Sequence, residues 1–446
     1  MAVSPLDSTL FQLLFSGREI AKLFSDEATV AQMLRVEAAL ARVQGRLGVI
    51  PEEAADAIDA VLFETVLPVS ELTDGTGDAG VPVPALVAAL RSRMDTDAGQ
   101  YLHWGATSQD IVDTALVLTL ASAAEVLEMR LEHSIQALKS LAERHRATVM
   151  VARTRSQQAL PMTFGLKVAN WLSPLLRHRT RLAELRSRLL VVQFGGAVGT
   201  LSALGGRGLE VMEALAAELK LQTPAVPWHT QRDGLAEFAG WLSLVTGSLG
   251  KIGQDIVLMS QNEVGEVREG GQALGEGARG GSSTMPQKSN PVSSEVLVTS
   301  ARNNATLLPA LHQALLQEHE RGGAAWQLEW LSLPQMVVST VVSLKHALYL
   351  IENLEVNAKR MRSNLEISNG LMLAEAATFA LAEHLPRPEA QTLVKQCCHE
   401  AAASGLNLMD VLAECCDAPV DWTQLRDPEH YLGVTDQLID RVLSSV

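Results

Sequence analysis

Apolar residues recur at helical spacing through most of the chain, and the helical stretches become very long after about residue 107. The stretch SQDIVDTALVLTLASAAEVLEMRLEHSIQALKSLAERH runs from Ser108 to His145 without a glycine or a proline. Similar patterns occupy LAEFAGWLSLVTGSLGKIGQDIVLMSQNEVGEV and the residues after Pro291. Helices of this length cannot be buried on a small domain and are typical of helical bundles, often oligomeric ones. The pattern therefore predicts an all-α fold.

Glycine and proline clusters, together with changes in helix length, divide the chain into three predicted helical regions. The first covers residues 1–106, the second is a long-helix region over 107–363, and the third covers 364–446 with shorter helical periods. LTDGTGDAGVPVP is predicted to be a loop that breaks the first region. Glycines also crowd the stretch from Gly265 to Gly281, which is predicted to be the flexible loop of the middle region.

Composition and charge exclude several classes of protein. Hydrophobic residues make up 47% of the chain and aromatic residues 4%, which suits helix-on-helix packing better than a β-sandwich or barrel. The net charge of −15 disfavours nucleic acid and anionic membranes as partners. An anionic substrate would then need a pocket that is locally positive.

Nothing in the sequence predicts export or membrane insertion. The first residues, MAVSPLDSTLFQLLFSGRE, lack the basic start, apolar run and cleavage site of a signal peptide, so a cytoplasmic protein is expected. The apolar stretch LSLPQMVVSTVVSLKHALYLI contains Pro334, Lys345 and His346 and is predicted to be a core helix of a bundle. Four cysteines occur as two adjacent pairs, which suit buried thiols in a reducing compartment better than a metal site or disulfides.

The first segment with candidate chemistry is HWGATSQD, from His103 to Asp110. Thr107 or Ser108 is placed where the long helix begins, and a hydroxyl there commonly caps the helix. The alternative is that the free N–H groups and the dipole of the helix, together with these hydroxyls, bind a substrate carboxylate.

The second segment, RHRATVMVARTRSQQALPMTFGLK, reverses the sign of the charge locally. It contains five basic residues and no acidic one; they are Arg144, Arg146, Arg153, Arg155 and Lys167. A solvated basic face and an anion-binding pocket are both consistent with this pattern.

The third segment is GGSSTMPQKSNPVSSE, from Gly280 to Glu295. Its glycines permit close approach of the backbone, and Ser282 and Ser283 offer hydroxyl groups. Lys288 adds a mobile cation, Asn290 an amide, and the following proline suits the first turn of a new helix. The combination predicts a catalytic loop that closes over an anionic substrate.

GSSTMPQKSNP resembles the signature of the fumarase/aspartase superfamily, and TSQD and GAVGT (residues 196–200) follow the order expected of that family over essentially the whole chain. The resemblance implies a homotetramer with a central helical bundle, active sites assembled from three chains, and no metal or organic cofactor. It also implies a small carboxylate substrate. By resemblance, Ser282 exchanges a proton with the carbon alpha to a carboxylate, and Lys288 is the second catalytic residue. The implied substrate-binding residues are His103, Thr107, Ser108, Arg155, Gln157, Asn290 and Arg321, with Ser283 and Glu295 in supporting roles.

One departure from the family pattern bears on the reaction. In lyases of this family a histidine follows RT in the second segment and protonates the leaving group, whereas this chain has Arg155 there. A guanidinium cannot donate and regain a proton near neutral pH, so Arg155 is expected to pair with Glu295 or to bind a substrate carboxylate. A leaving carboxylate, with a pKa near ~4, needs no such proton, whereas an amine or hydroxide gains from one.

A second departure points in the same direction. HERGGAAWQLEW, residues 319–330, has Ala324 and Trp330 where adenylosuccinate lyase has polar and arginine ligands for its nucleotide. The chain looks most similar to the carboxymuconate cycloisomerase branch in this stretch and in two others, PWHTQRD (residues 227–233) and HWGATSQD. The resemblance thus implies lactonisation of 3-carboxy-cis,cis-muconate to 4-carboxymuconolactone in protocatechuate breakdown, the protocatechuate branch of the beta-ketoadipate pathway. A fumarate-releasing carbon–nitrogen lyase and a non-catalytic structural homologue stay open as alternatives, as does a sulfonate in place of the 3-carboxylate.

Overall fold

The computed structural model describes residues 4–15, 17–270, 280–281, 284–285 and 288–446. The described residues form an almost entirely helical fold, as the sequence predicts. The α-helices are α1 Gln12–Phe15, α2 Arg18–Lys22, α3 Asp26–Arg46, α4 Glu52–Glu64, α5 Thr73–Ala79, α6 Val83–Arg91, α7 Thr96–Gly99, α8 Ser108–Arg144, α9 Phe164–Leu189, α10 Gly208–Leu219, α11 Asp233–Met259, α12 Val292–Gln313, α13 Ala324–Glu352, α14 Ala358–Glu366, α15 Ala374–Ala382, α16 Arg387–Ser404, α17 Leu408–Cys415, α18 Trp422–Leu425 and α19 Thr435–Leu443. Short 3₁₀ helices cover Pro5–Asp7, Val69–Glu71, Ser202–Arg207, Leu371–Leu373 and Pro428–Tyr431. Four strands complete the fold: β1 Val149–Thr154, β2 Gln157–Thr163, β3 Val267–Glu269 and β4 Leu354–Val356.

The chain divides into two compact units. The first comprises residues 1–130, 178–247 and 300–344, and the second comprises 131–177, 248–299 and 345–446. The division falls inside five long helices, α8, α9, α11, α12 and α13, so each of them contributes residues to both units. The division into regions 1–106, 107–363 and 364–446 stays a prediction.

The core of the first unit is built on α3. Ser25 caps this helix by accepting a hydrogen bond from the backbone N–H of Ala28 (3.2 Å), and acidic residues occupy its first turn. Its buried face, which includes Val36, Leu40 and Val43, packs on α4 and α10. That same face also carries two buried polar residues, Glu37 and Gln44. Since these are seven residues apart, they project from one side of the helix.

The second unit contains the two small sheets and the C-terminal helices. β1 and β2 form an antiparallel hairpin, and β3 pairs with β4. A separate apolar core joins Val149 and Val151 of β1 to α15, α16 and α17. The hairpin lies in the basic second segment, where the sequence predicts no strand.

One predicted loop is wrong. LTDGTGDAGVPVP contains a helix, α5, which ends at Gly80 in the left-handed conformation (φ 71°). Gly75 lies within this helix, close to α6. A Cβ at this position would come within 2.9 Å of the Cβ of Ala85, so only glycine fits without a shift of the two helices. This glycine therefore permits close helix packing and does not break the helix. Of the Gly265–Gly281 loop, residues 271–279 lie outside the described part of the chain.

The apolar stretch around Pro334 lies inside α13, as predicted. No helix among the described residues is long and apolar enough to cross a membrane.

The prediction that all four cysteines are buried is wrong. Cys397 is buried in the core beside α17, Cys398 and Cys416 are half-buried, and Cys415 is exposed. Burial, together with the neighbouring Cys415, raises the pKa of the Cys397 thiol to about 12. Adjacent helical residues point about 100° apart, so Cys397 and Cys398 of α16 cannot both point directly into the core, and Cys415 is exposed at the end of α17.

Candidate active site

The start of α8 places the hydroxyl groups of the first segment. α8 begins at Ser108, and the backbone N–H of Thr107 donates to Asp110 Oδ2 (3.0 Å), which is the reach-back half of a capping box. The Thr107 hydroxyl accepts a hydrogen bond from Arg321 Nη1 (2.8 Å). Arg321 therefore engages the oxygen that a simple helix cap would use.

Asp110 is the centre of a buried network that joins the first segment to the glycine-rich stretch at residues 195–200. Its Oδ1 accepts hydrogen bonds from Gln193 Nε2 (3.0 Å) and from the backbone N–H of Gly195 (3.0 Å). Its Oδ2 also accepts from the backbone N–H of Gly196 (2.9 Å). The Nε2 atom of His229, from PWHTQRD, lies 2.8 Å from Oδ1. Three motifs that are separate in the sequence thus converge on one carboxylate.

Arg321 closes this arrangement from the other side. Besides Thr107, its guanidinium donates to the carbonyl oxygens of Gly196 (3.2 Å) and Ala197 (2.6 Å). The residue is exposed, so an anion can approach it from solvent. Of the expected substrate-binding residues, the structure joins Thr107 and Arg321 by this direct hydrogen bond.

His103 lies just before this turn and faces a buried acid. Its Nδ1 is 2.6 Å from Oε1 of Glu37, whose carboxylate on α3 is almost completely buried. Burial disfavours the charged imidazolium, but the charge and hydrogen bond of Glu37 outweigh this effect and raise the pKa of His103 above its ordinary value. Glu37 is absent from the residues that the sequence motifs single out.

A second buried ionic network fixes α8 against α13 and the PWHTQRD segment. Arg232 donates to Asp113 (2.6 and 3.1 Å) and to Glu329 (2.5 and 2.8 Å), and Trp326 Nε1 donates to Asp113 (2.9 Å). The Arg232 guanidinium also stacks 4.7 Å from the ring centre of Trp228. Burial opposes the guanidinium charge, yet the two acids raise the pKa of Arg232. The network holds these three segments in register.

In the second unit, Arg155 lies at the tip of the β1–β2 hairpin. Arg155 and Ser156 form its two-residue turn, both with positive φ (48° and 66°), and Gln157 begins the returning strand. Two positive φ angles define the tight turn that matches the twist of a hairpin. Arg155 and Gln157 are both exposed, so their side chains project from the fold.

The other basic residues of this segment are largely neutralised, contrary to the idea that they lack counter-charges. Arg153 makes a two-pronged ion pair with the buried Glu266 (2.7 and 2.9 Å). Arg146 pairs with two acids of α19, and Lys167 lies 3.6 Å from an oxygen of Asp255. These acids lie far from the basic segment in the sequence, so the sequence of that segment alone does not predict the ion pairs.

Arg155 makes no ion pair with Glu295 in the chain. Glu295 is exposed in the first turn of α12, and neither residue has an ion-pair partner within the described ranges. The predicted alternative, in which Arg155 binds a substrate carboxylate, stays a prediction.

The described part of the third segment is a narrow loop neck. Both the backbone N–H and the side-chain amide of Asn290 donate to the carbonyl oxygen of Gly280 (2.8 and 3.0 Å). The backbone N–H of Lys288 donates to the carbonyl oxygen of Met285 (3.0 Å). Ser282 and Ser283 lie outside the described residues.

A buried glutamate anchors this loop to the helix that follows it. Glu269, the last residue of β3, accepts hydrogen bonds from the backbone N–H groups of Ser293 (3.1 Å) and Ser294 (2.7 Å) and from the Ser294 hydroxyl (2.7 Å). The carboxylate thereby occupies the N-terminus of α12, where an anion is favoured. The motifs do not single out Glu269 either, although an acid at the end of a strand that leads into a glycine-rich loop is a usable signal.

No three His, Cys, Asp or Glu side chains in the described part of the chain converge in a way that could hold a metal ion.

Comparisons with known proteins agree with the motif analysis. The profile of a family described as Lyase matches residues 16–304, and one described as Adenylosuccinate lyase C-terminus matches residues 370–442. A 3-carboxy-cis,cis-muconate cycloisomerase of Pseudomonas aeruginosa is 45% identical, over 98% of this chain and 96% of its own. Trans-aconitate decarboxylase 1 of Mycosarcoma maydis is 40% identical, over 97% of this chain and 88% of its own.

A solved structure gives the same picture in three dimensions. The crystal structure of 3-carboxy-cis,cis-muconate lactonizing enzyme from Pseudomonas putida is similar with a TM-score of 0.91 and 42% identity, and the alignment covers 98% of this chain and 99% of that one.

Proposed function

The chain belongs to the fumarase/aspartase superfamily, and we propose that within it the protein is a cofactor-independent cycloisomerase that converts 3-carboxy-cis,cis-muconate to 4-carboxymuconolactone. One substrate carboxylate adds to a conjugated double bond within the same molecule, and the carbon alpha to another carboxylate gains a proton. The names and coverage of the relatives support this reaction over a nitrogen-releasing lyase. The same proposal places the protein in the cytoplasm.

The observation that carries the proposal is Arg155 at the exposed tip of the hairpin. A permanently charged side chain at this position can bind a carboxylate but cannot supply a proton to a leaving amine. Lactonisation does not need that proton, because its nucleophile is a carboxylate that is already ionised at neutral pH. The chemistry of the residue and the chemistry of the reaction therefore agree.

The roles of the other residues follow from family membership. Ser282 donates the proton to the alpha carbon, and Lys288 with Asn290 stabilises the negative charge that develops there. Ser283 and Glu295 support these groups. The remaining substrate carboxylates are bound by His103, Thr107, Ser108, Arg155, Gln157 and Arg321. The hydrogen bond between Arg321 and Thr107 supports the last assignment, because a guanidinium beside a hydroxyl group suits an anion.

The assembly proposed is a homotetramer in which three chains contribute to each active site. Arg155 and Glu295 are exposed and make no ion pair with the described residues of their own chain, which supports a role for them against other chains. The long helices also expose large apolar side chains, such as Leu331, which is 67% exposed. Mixing inactive Arg155→Ala and Lys288→Ala proteins tests this arrangement. Hybrid tetramers should regain activity if the two residues come from different chains, and should stay inactive if one chain supplies both.

A spectrophotometric assay tests the reaction itself. The enzyme should consume 3-carboxy-cis,cis-muconate, and the sulfo analogue measured beside it establishes whether a sulfonate is accepted. Adenylosuccinate and trans-aconitate serve as competing substrates. Fumarate release from the first or carbon dioxide release from the second, without lactone formation from muconate, would overturn the proposal.

Replacement of the proposed proton donor gives an independent test. Ser282→Ala should lower turnover by about 10²–10⁴-fold, the range for a general acid–base group. Ser289→Ala removes a hydroxyl from the same loop and serves as the matched control. A loss below tenfold in Ser282→Ala would exclude Ser282 as the donor.

A further inference from the structure

Glu37 is a buried acid for which the proposed reaction has no direct use. It projects from the apolar face of α3, is 1% exposed, and bonds through Oε1 to His103 alone among the described residues. Its second oxygen, Oε2, is buried without a hydrogen-bond partner in that part of the chain. A buried carboxylate with so few partners is costly unless a positive charge compensates it.

The segment that carries His103 is held firmly in place. His103 itself has a positive φ of 64°, a conformation that such a residue adopts only when its surroundings impose it. Gln44, on the same face of α3 as Glu37, donates to the carbonyl oxygen of Trp104 (2.8 Å). Arg91 on α6 donates to the carbonyl oxygens of Gly99 (3.1 Å) and Leu102 (3.0 Å). Two helices thus fix the backbone so that the imidazole meets Glu37.

From this geometry we infer that Glu37 is a positioning residue, which holds His103 as an imidazolium whose free Nε2–H binds a carboxylate of the substrate. This inference rests on the proposed function, because it requires an anionic substrate beside Thr107. It adds to the proposed function a positioning residue on α3. It also explains why the fold contains a buried carboxylate there despite its energetic cost.

The hydrogen-bonding rules make the inference specific. An ionised Glu37 can only accept, so Nδ1 of His103 must carry a proton. Nε2 is then a donor if the ring is charged and an acceptor if the ring is neutral. A substrate carboxylate needs a donor, and therefore only the charged ring binds it.

The charged groups around His103 favour this protonation state. Burial lowers the pKa of the ring, whereas Glu37 and, from α8, Asp110 raise it; Arg91 on α6 opposes them. The acids prevail, so the pKa is raised. Binding by His103 should therefore be present below this raised pKa and be lost as the pH rises through it.

Glu37→Gln separates charge from orientation. The glutamine carbonyl can still accept the Nδ1–H hydrogen bond, but the negative charge is gone. The alkaline limb of kcat/KM should therefore move to lower pH, with a loss of about tenfold or more at alkaline pH, while kcat at saturation changes little. At acidic pH the variant should approach the wild-type kcat/KM, whereas a merely structural defect would lower it at every pH. The substrate carboxylates stay ionised through this range and add no limb of their own.

Glu218→Gln is the matched control. Glu218 also contacts α3, through Arg42 and Arg46, but it has no contact with His103. Its pH profile should coincide with that of the wild type. His103→Gln should abolish the alkaline limb.

Titration of His103 by ¹³C NMR of histidine-labelled protein makes the test independent of turnover, and His103→Gln assigns the signal. An ordinary pKa near ~6.5 for His103, or one that Glu37→Gln leaves unchanged, would overturn the inference. An equal fall in kcat and kcat/KM in Glu37→Gln would also overturn it, because that result indicates that His103 transfers a proton and does not only bind a carboxylate. Absence of turnover with carboxymuconate by the wild type would instead count against the proposed function.

Discussion

Replacing Asp110 with asparagine should show how far the turn at the candidate active site depends on one carboxylate. The substitution keeps the size of the side chain and removes its charge. In the structure Oδ1 accepts three hydrogen bonds and Oδ2 accepts two, from the backbone N–H groups of Thr107 and Gly196. An asparagine has only one accepting oxygen, so its NH₂ group must face donors.

The expected loss of stability follows from the more favourable of the two orientations that the asparagine amide can adopt. With the amide oxygen in place of Oδ1, the two backbone N–H groups at Oδ2 lose their acceptor. A buried, unsatisfied group costs about 1–3 kcal/mol, so the free energy of unfolding should fall by about 1–3 kcal/mol through the buried Gly196 N–H and by a smaller amount through the partly buried Thr107 N–H. This is a large part of the ~5–15 kcal/mol that typically stabilises a domain. The KM should also rise, because Thr107 loses its anchor.

Urea unfolding, followed by circular dichroism, measures the first effect. Asp233→Asn is the matched control, because Asp233 is an exposed aspartate in the first turn of α11. It should cost only the ~0.3–1 kcal/mol of an interaction with the helix dipole. If Asp110→Asn were destabilised no more than Asp233→Asn, the carboxylate would not organise the turn and this reasoning would fail.

Three further substitutions test other parts of the structure. Arg155→His should lower kcat/KM for carboxymuconate at least about tenfold, by loss of a charge-assisted pair; a gain in activity would contradict the role given to the guanidinium. Glu269→Gln should lower the free energy of unfolding by about 1–3 kcal/mol in thermal melting, because it weakens three bonds at the start of α12; an unchanged melting temperature would argue against the anchor. Gly165→Ala should cost about 1–3 kcal/mol in urea unfolding, because the new Cβ would lie 2.7 Å from the Cα of Arg146. Gly77→Ala, in α5 with open space around it, should be neutral or slightly stabilising, and equal effects of the two glycine substitutions would refute the packing argument.

The long helices were predictable because their apolar pattern is continuous. α8 follows its predicted stretch closely, since no competing local signal interrupts it. α11 ends at Met259, before the end of its predicted stretch, whose last residue, Val267, begins β3. The β1–β2 hairpin escaped prediction because its turn uses Arg155 and Ser156, which carry none of the usual glycine or asparagine signal. α5 was mistaken for a loop because Gly75 serves packing against α6, while Gly77 lies at an exposed position of the same helix.

The residues of the candidate site also fall into those that the sequence predicts and those that it does not. Motifs that are contiguous in the sequence predict Thr107, Lys288 and Asn290 as candidates, because each belongs to a local pattern. Glu37 and Glu269 act through partners 66 and about 25 residues away, so no local pattern contains both members. The acids that neutralise Arg153 and Arg146 are even more distant, at separations of 113 and 294 residues. Such pairings depend on the tertiary fold.

The position of Arg155 on a protruding turn also bears on how new activities arise in this superfamily. An exposed side chain such as that of Arg155 can be exchanged without repacking a core, although a β-branched residue would fit the left-handed backbone poorly. Under the proposed function, a single codon change there would replace a proton-donating histidine with a fixed cation at little cost in stability. Divergence from amine elimination to ring closure would then require few compensating mutations, and ancestral proteins with either residue should fold equally well.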